Sequence, residues 1–272
     1  MPEITIKQLF IHPIKGLTPQ ECDRVFLKSG HGIPGDRAYA LMYNDTGDIS
    51  QIETTTLPWM SKKNFAVQND WPGLANLNCQ YNPENQLLTI TNNNQELLAA
   101  NTNTTSGRKL IGAFFTGYLA ALCPTEKARH PQQTSLHLVG NSRETRYPDR
   151  EPVHISLLAQ ATLDQISHSC NYPIDARRFR PNIVLTGIPA WEEFNLIGKE
   201  LQIGSAKITI EARIGRCLNI EVNPDTGKRD IPLFSLLQEH FGHVQTGILA
   251  KVITDGNIAV GDIVTAINND NI

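Results

Sequence analysis

The feature that most constrains the fold of this chain is a succession of short strand-like runs bounded by turn-forming residues. Ile4–Ile11 alternates between apolar and polar positions, and Asp23–Leu27 and Arg37–Tyr43 follow after turn residues. Further turn signals lie at Asn44–Asp48 and at Tyr81–Asn85, the latter between two more strand-like runs. Short strands at this spacing predict a small β-barrel or sandwich for the N-terminal part of the chain.

The rest of the chain combines more strand-like runs with three candidate helices. The polar segment Asn92–Thr105 is predicted to be a loop. Apolar residues at helical spacing predict helices over Ser106–Leu122, Ser156–Ser169 and Pro232–Phe241. The runs predicted to be strands are Ile183–Leu185, Glu200–Ile203, Ala206–Ile210, Leu218–Val222, Ile248–Ile253 and Asp262–Ile267.

These patterns together predict a mainly β (α+β) protein with two β-barrel-like domains and a few peripheral helices. The first predicted domain covers residues 1–122, and the second covers residues 123–272. A chain of 272 residues is long enough to bury the core that such an arrangement needs.

Composition and charge argue against several classes of protein. The net charge is −3, which gives no electrostatic reason to expect nucleic acid or an anionic membrane as a partner. Met1–Thr5 lacks the basic and apolar regions of a signal peptide, and Asn268–Ile272 is predicted to be a frayed tail. The longest apolar stretch, Leu110–Cys123, is shorter than the roughly 20 residues of a transmembrane helix. We therefore predict a cytoplasmic location.

The five cysteines form no CxxC pair and no zinc-finger spacing, which is typical of reduced thiols. Cys217 differs from the others in its setting, because Arg213 and Arg216 are close to it in sequence. Nearby positive charge favours the thiolate, which is both a nucleophile and a soft metal ligand. With surplus arginines, such a site can hold an anionic metal cofactor. The alternative is that Cys217 is a small buried hydrophobe, as most free cysteines are.

Several motifs resemble a known domain. The run Phe179–Val184, the segment Arg216–Gly227 with its Val-Asn-Pro-Asp-Thr-Gly ending, and Gly256–Asp262 resemble the MOSC domain, which is named for the C-terminal part of molybdenum-cofactor sulfurases. His12–Gly16 and Gly32–Tyr39 are similar to the β-barrel domain that precedes MOSC in one subgroup. That subgroup includes the mitochondrial amidoxime-reducing component and its bacterial relatives.

The resemblance implies a binding site for the molybdenum cofactor, a molybdopterin whose dithiolene sulfurs hold the metal. It implies that Cys217 ligates molybdenum and is the catalytic residue. Arg180 and Asn182 would contact the pterin, and Lys15 and Arg37 would neutralise the phosphate.

Two further residues complete the expected cofactor site, and one position departs from the family. Arg216 and His154 are also expected among the cofactor-binding residues, although His154 has the alternative of a hydrogen-bonded framework histidine. Gly16 stands where relatives often carry serine. A backbone N–H would then replace the hydroxyl as a donor to the phosphate.

The resemblance implies a molybdenum-dependent oxidoreductase that reduces N-hydroxylated small molecules such as amidoximes and hydroxylamines. The sequence has no Walker A, GxGxxG, HExxH or GxSxG motif and no iron–sulfur cysteine cluster. We therefore expect a separate electron-donor protein, and pyridoxal phosphate is not an expected cofactor. Two alternatives stay open: a carrier or transferase that holds cofactor or sulfur on Cys217, and a non-catalytic barrel with a degenerate site.

Overall fold

The computed structural model describes residues 3–44, 60–132, 135–141, 147–149, 151 and 153–267. Strands dominate this part of the chain, and three α-helices accompany them. The mainly β fold class predicted from the sequence is therefore confirmed. The strands of the N-terminal half are β1 (Thr5–Ile11), β2 (Gln20–Cys22), β3 (Arg24–Leu27), β4 (Tyr39–Tyr43), β5 (Asn78–Asn82), β6 (Leu87–Asn92) and β7 (Gln95–Asn101). The later strands are β8 (Leu136–Gly140), β9 (Ile155–Ala159), β10 (Ile183–Thr186), β11 (Glu200–Ile203), β12 (Ala206–Gly215), β13 (Gln245–Thr254), β14 (Gly256–Ala259) and β15 (Val264–Ala266).

The largest sheet joins the two ends of the chain. Its strand order is β15-β11-β12-β13-β9-β10-β1-β2, and β9 and β10 are parallel neighbours. The N-terminal strand β1 lies antiparallel to β10, with Leu9 opposite Ile183. A separate two-stranded pair forms between β3 and β14, where Val25 faces Ile258. Strands β1 and β3 are thus hydrogen-bonded to strands of the C-terminal half, and the boundary expected between residues 122 and 123 stays a prediction.

A second group of strands surrounds the first helix. β5, β6 and β7 form an antiparallel meander, and β4 pairs with β8. Helix α1 (Thr105–Ala120) packs its buried residues Ile111, Phe115 and Leu119 into the same apolar core. Gly112 lets the helix approach β8 closely, because a Cβ at this position would lie 2.4 Å from the carbonyl oxygen of Leu136.

The three predicted helices exist, but one of them begins later than expected. Helix α1 corresponds to the prediction over 106–122, and α3 (Leu233–Phe241) to the prediction over 232–241. Helix α2 spans Gln160–Cys170, so the prediction over 156–169 is wrong at its start. Residues 155–159 form β9, between β13 and β10. An apolar strand buried on both faces has no alternation, so its residues also fit a helical pattern.

Two other predictions of local structure are wrong. The predicted loop over 92–105 contains β7, whose backbone pairs with β6 and whose Leu-Leu-Ala-Ala centre lies between polar residues. The predicted strand over 218–222 is instead a 3₁₀-helix, Leu218–Glu221. The predicted turn at 44–48 and the predicted tail at 268–272 lie outside the described residues, except for Asn44. In the described part of the chain, every helix is too short or too polar to span a bilayer.

Candidate functional site

A cavity of about 510 Å³ lies where the N-terminal and C-terminal parts of the chain meet. Its walls include the end of β12, the segment before β10 and two loops of the N-terminal half. Every side chain for which the resemblance implied a cofactor contact lines this cavity: Lys15, Arg37, His154, Arg180, Asn182, Arg216 and Cys217. The fold therefore brings together residues that are far apart in sequence.

Cys217 lies directly after β12, at the start of the 3₁₀-helix Leu218–Glu221, and its side chain is exposed. The interpretation of Cys217 as a small buried hydrophobe is therefore wrong. That description fits Cys79, which is 2% exposed. Burial raises the pKa of the Cys79 thiol to about 12. The thiol of Cys217 is accessible to a ligand in the cavity, whereas the thiol of Cys79 is not.

Arg216 contributes a fixed positive charge next to Cys217. Its guanidinium donates to the backbone carbonyl oxygens of Phe179, at 2.8 Å, and Thr246, and it lies 5.3 Å from the centre of the Phe179 ring. Its Nε is buried and makes no hydrogen bond to any described residue. Burial lowers the pKa of Arg216 to about 9, and the charge of Cys217 acts in the opposite direction. The group is still cationic at neutral pH.

Gly247 makes room for the Arg216 guanidinium. Its φ is +75°, and a Cβ there would lie 2.5 Å from the Leu157 carbonyl oxygen and 3.2 Å from Arg216 Nη2. A residue with a side chain would be strained by this backbone conformation and would also press on the guanidinium. The position of Arg216 thus depends on the absence of a side chain in β13.

Arg180 is a second cation that lacks a carboxylate partner among the described residues. Its Nη1 donates to the Leu17 carbonyl oxygen at 2.6 Å, which links the segment before β10 to the N-terminal half. Burial lowers the pKa of Arg180 to about 10, the nearby Arg37 lowers it further, and the charges of Asp149 and Asp36 act in the opposite direction. Its backbone is left-handed, with φ of 53°. Such a conformation is uncommon for a residue with a side chain and marks this turn as a constrained one.

Lys15 and Arg37 meet although 22 positions separate them, but each already has an acidic partner. Lys15 is 3% exposed, pairs with the Asp149 carboxylate and donates to the Tyr147 carbonyl oxygen at 3.1 Å. Burial lowers the pKa of Lys15, and Asp149 acts in the opposite direction. Arg37 pairs with the fully buried Asp36 and also donates to the carbonyl oxygen of Arg180 at 3.3 Å. The charges expected to meet a phosphate are thus partly compensated within the protein.

Asn182 and His154 line the cavity while serving the framework. The Asn182 side chain donates to the Phe10 carbonyl oxygen at 3.2 Å and accepts from the Ser156 N–H at 3.1 Å, so it connects β1 to β9. His154 forms a 2.5 Å contact with the Glu211 carboxylate. The alternative of a hydrogen-bonded framework histidine fits His154, and its contact with a cofactor stays a prediction.

Gly16 has a structural reason to lack a side chain. Its φ is +85°, and a Cβ would lie 2.7 Å from the Ala66 carbonyl oxygen. Serine at this position, as expected in relatives, would require the segment around Ala66 to move. The replacement of a hydroxyl donor by the backbone at position 16 stays a prediction.

Three further cations of the cavity were not assigned from the sequence. Arg178 is 3% exposed and pairs with Asp230 at 2.8 Å. Arg213 lies over the ring of Phe194, with 4.4 Å from Cζ to the ring centre, and Lys62 is exposed. Arg178 and Arg213 belong to the motifs around Arg180 and Cys217, and this proximity in sequence could have identified them. Nothing in the sequence marks Lys62, because its position in the cavity results from the tertiary fold.

The charge in the cavity is strongly unbalanced. Among the described lining residues, Asp149 is the single carboxylate, and the cations are Lys15, Arg37, Lys62, Arg178, Arg180, Arg213 and Arg216. Half-buried Arg180 and Arg216 hydrogen-bond to backbone carbonyls rather than to acids. Removing cations from water without a counter-charge is costly, so the cavity is suited to a ligand with several negative charges.

The donor set also limits how a metal could be held. The described residues contain no group of three or more His, Cys, Asp or Glu side chains that could hold a metal ion. A metal that arrives with ligands of its own needs only one soft protein ligand, and the exposed Cys217 thiol meets this need. The residues present therefore fit an anionic cofactor that carries its own metal.

Comparison with known families defines the class of protein. Residues 3–121 match the MOSC N-terminal beta barrel domain, and residues 143–265 match the MOSC domain. The chain thus belongs to the MOSC-domain proteins with this N-terminal barrel, which confirms the resemblance seen in the motifs.

The more particular similarity is to mitochondrial amidoxime-reducing components. A segment of 103 residues is 33% identical to component 2 of Rattus norvegicus, and covers 38% of this chain and 28% of that protein. Component 1 of Mus musculus is 24% identical over 243 residues, which cover 83% of this chain and 68% of that protein. A molybdenum cofactor sulfurase of Oryza sativa subsp. japonica is 41% identical over 56 residues, 21% of this chain and 7% of that protein.

The matched segments span little of most of these relatives, about a quarter of the rat protein's length and less than a tenth of the rice protein's. Among solved structures, the YuaD protein from Bacillus subtilis matches with a TM-score of 0.46 and 14% identity, with 97% of each chain covered. The cytoplasmic location expected from the sequence stays a prediction, and the animal relatives are named as mitochondrial proteins.

Proposed function

We propose that this chain binds the molybdenum cofactor in the cavity and uses it to reduce N-hydroxylated small molecules, with electrons from a separate donor protein. The observation that carries the proposal is the convergence of an exposed thiol, Cys217, with guanidinium groups that lack carboxylate partners among the described residues. The relatives named as amidoxime-reducing components and as a molybdenum cofactor sulfurase support this substrate class and this cofactor.

Each part of the cofactor has a group to hold it in the proposed site. Cys217 supplies a thiolate ligand to the metal, and Arg216 stabilises the negative charge of that thiolate. Arg180 and Asn182 hold the pterin, and Lys15 and Arg37 hold the phosphate. When bound, the cofactor supplies the redox chemistry that removes oxygen from the substrate nitrogen.

The protein's own residues prepare the site for this ligand. Backbone carbonyls of Phe179, Thr246 and Leu17 fix the two guanidinium groups before any ligand arrives. Asp36 orients Arg37 through their ion pair, and the backbone N–H of His12 donates to Asp36 at 2.8 Å. Because the charges are fixed in advance, little ordering entropy is lost on binding.

The electron donor is proposed to be another protein. The sequence lacks a dinucleotide fingerprint and an iron–sulfur cysteine cluster. The purified chain is expected to reduce a substrate with an artificial reductant or with an added reductase, and not with NADH or NADPH alone.

The experiment that tests the proposal uses protein purified from a host that makes the molybdenum cofactor. Molybdenum and pterin are measured, and turnover of benzamidoxime is followed with a chemical reductant. We expect stoichiometric metal and pterin together with turnover. A labile sulfur on Cys217 without turnover would support the carrier or transferase instead, and the absence of metal, sulfur and turnover would support a degenerate site.

A further inference from the structure

Arg213 is a cation of the cavity to which the proposed cofactor site assigns no role. We propose that it binds a carboxylate group of the substrate, so that this chain prefers N-hydroxylated compounds that carry a negative charge. The inference rests on the proposed function and adds a specificity-determining residue to it. Arg213 lines the same cavity as Cys217 and lies four positions before it.

Arg213 and Cys217 are both exposed, the first near the end of β12 and the second just beyond it. Residues 213, 215 and 217 are exposed, whereas residues 212, 214 and 216 are half-buried. The pairing of β12 with β13 shifts register between 210 and 212 and again between 213 and 215. Irregularities of this kind change the direction of side chains near binding sites, and here they flank Arg213.

The backbone midway between Arg213 and Cys217 borders open space. Gly215 lies at this midpoint of the sequence, and a Cβ built on it would have no heavy atom within 4 Å. With a rise of about 3.3 Å per residue, the four positions from Arg213 to Cys217 span at most roughly 13 Å, because the irregular pairing between 213 and 215 bends the strand. A small substrate can therefore lie over Gly215 with one end at Cys217 and the other near Arg213.

An aromatic platform fixes the guanidinium of Arg213. The Cζ atom lies 4.4 Å from the centre of the Phe194 ring, and this ring in turn packs against Trp191 and His243. The backbone of Trp191 has a φ of 67°, which is a genuine outlier for a bulky residue. The hydroxyl of Thr162 accepts from its N–H at 2.9 Å. The platform is thus held in place by its own framework.

Arg213 has no ion-pair partner among the described residues, in contrast to Lys15, Arg37 and Arg178. The nearest acid in sequence on its strand, Glu211, is in contact with His154. Arg213 is also exposed, whereas Arg180 and Arg216 are half-buried. An unpaired, exposed and pre-arranged guanidinium is suited to a ligand group that arrives from solvent, and its planar fork matches a carboxylate.

The proposal is tested with a matched pair of substrates, benzamidoxime and 4-carboxybenzamidoxime. The measured quantity is the ratio of kcat/KM for the carboxylated compound to that for the neutral one. We expect this ratio to be about two- to fivefold in the unaltered protein, because the guanidinium of Arg213 is exposed and its contact with a carboxylate is screened by solvent. Arg213→Ala should bring it close to one, and Arg213→Lys should retain part of it.

A binding measurement makes the test independent of turnover. The dissociation constants of 4-carboxybenzamidine and benzamidine, which lack the N-hydroxyl group, are measured by calorimetry on the same preparations. Tighter binding of the carboxylated compound should disappear in Arg213→Ala. Lys207→Ala is the matched control, because Lys207 is an exposed cation at the other end of β12 and outside the cavity lining.

The outcomes separate this inference from the proposed function. Equal binding of both amidines by the unaltered protein, or an equal loss of preference in Lys207→Ala, would overturn the role of Arg213. So would a loss of molybdenum in Arg213→Ala with the preference unchanged, because Arg213 would then serve the cofactor. If neither amidoxime is reduced but the binding preference depends on Arg213, the proposed function fails and the carboxylate site stands.

Discussion

Arg180 and Arg216 differ from the other cations of the cavity in how their charge is balanced. Lys15, Arg37 and Arg178 have carboxylate partners, whereas these two donate to backbone carbonyls. The carboxylates of Asp149 and Asp36 act on Arg180 without forming an ion pair with it, so the desolvated charge is only partly balanced until an anionic ligand binds. At the scale of single residues, these two cations thus lower the stability of the ligand-free protein and raise its affinity for an anion.

Arg180→Gln should therefore have opposite effects on stability and on binding. The glutamine amide can still donate to the Leu17 carbonyl oxygen, but the charge is gone. The cofactor-free protein should be as stable as before or more stable by about 1 kcal/mol, while cofactor content should fall about tenfold or more. Denaturant unfolding and pterin analysis measure the two effects. A large loss of stability with full cofactor content would show that Arg180 is structural.

The burial of His12 predicts that the free energy of unfolding depends on pH. Its side chain is fully buried, and burial together with the charges of Arg37 and Arg180 lowers its pKa well below 6.5, against the opposing effect of Asp36. The folded state therefore prefers the neutral ring, and unfolding at acidic pH takes up a proton. The contribution of neutral His12 to the free energy of unfolding is complete above the pKa of His12 in the unfolded chain, about 6.5. It is lost as the pH falls toward the lower pKa of His12 in the folded chain.

His12→Gln should remove this dependence. In the unaltered protein, the contribution of His12 should decline by up to about 1.4 kcal/mol for each pH unit below 6.5. Urea unfolding at pH 7.5 and at pH 5.5 measures the decline in both proteins. An identical decline in His12→Gln would mean that other groups cause it.

At the scale of elements, the geometry of the site depends on glycines in the strands beside its cations. The left-handed Gly247 in β13 lies beside Arg216, and β12 ends at the open position Gly215. These two glycines act differently, because the first is confined by backbone and the second is free of neighbours within 4 Å. The geometry around Cys217 is therefore set by the pairing of β12 with β13.

Gly247→Ala should disturb this geometry. The new Cβ would approach the Leu157 carbonyl oxygen, in a backbone conformation that costs a residue with a side chain about 1–3 kcal/mol. We expect a corresponding loss of stability by denaturant unfolding and reduced cofactor content. The matched control is Gly215→Ala, which has space and no positive φ and should keep its stability. Equal stability of the two variants would contradict this account of Gly247.

The helices and strands also show how much of the fold could be predicted from the sequence. Local patterns predicted α1, α3 and most strands of the large sheet, because in these segments the apolar spacing and the flanking turn residues indicate the same element. The strand β9 could not be distinguished from the start of a helix, since both of its faces are buried. The short apolar centre of β7 is surrounded by Asn, Gln and Thr, and its pairing with β6 is not evident from the composition of the segment. The motifs predicted the lining of the cavity, but Lys62 and the acidic partners of Lys15 and Arg37 depend on tertiary contacts.

At the scale of the whole molecule, the two ends of the chain form one sheet. β1 and β2 extend it beyond β10, and β3 pairs with β14. The apolar core beneath it combines Ile6, Leu9, Val25 and Leu27 with residues of the C-terminal half. The cavity is lined from both halves, so its formation depends on this joint sheet.

A fragment of residues 123–272 should therefore not fold by itself. Without β1, the edge of β10 and the apolar residues beneath it would be exposed to water, which favours aggregation. Circular dichroism and denaturant unfolding of the fragment measure this directly. Cooperative unfolding of a soluble, monomeric fragment would contradict the account, whereas recovery on adding residues 1–122 would support it.

In the proposed site, Cys217 provides the protein's ligand to molybdenum. X-ray absorption at the molybdenum edge, on protein purified from a host that makes the cofactor, tests it most directly. Cys217→Ser should retain bound pterin, through the guanidinium groups, but should show one sulfur fewer around the metal than the unaltered protein. Cys123→Ser, at another exposed cysteine, should leave the metal's sulfur ligands unchanged. An unchanged sulfur count in Cys217→Ser would contradict the account.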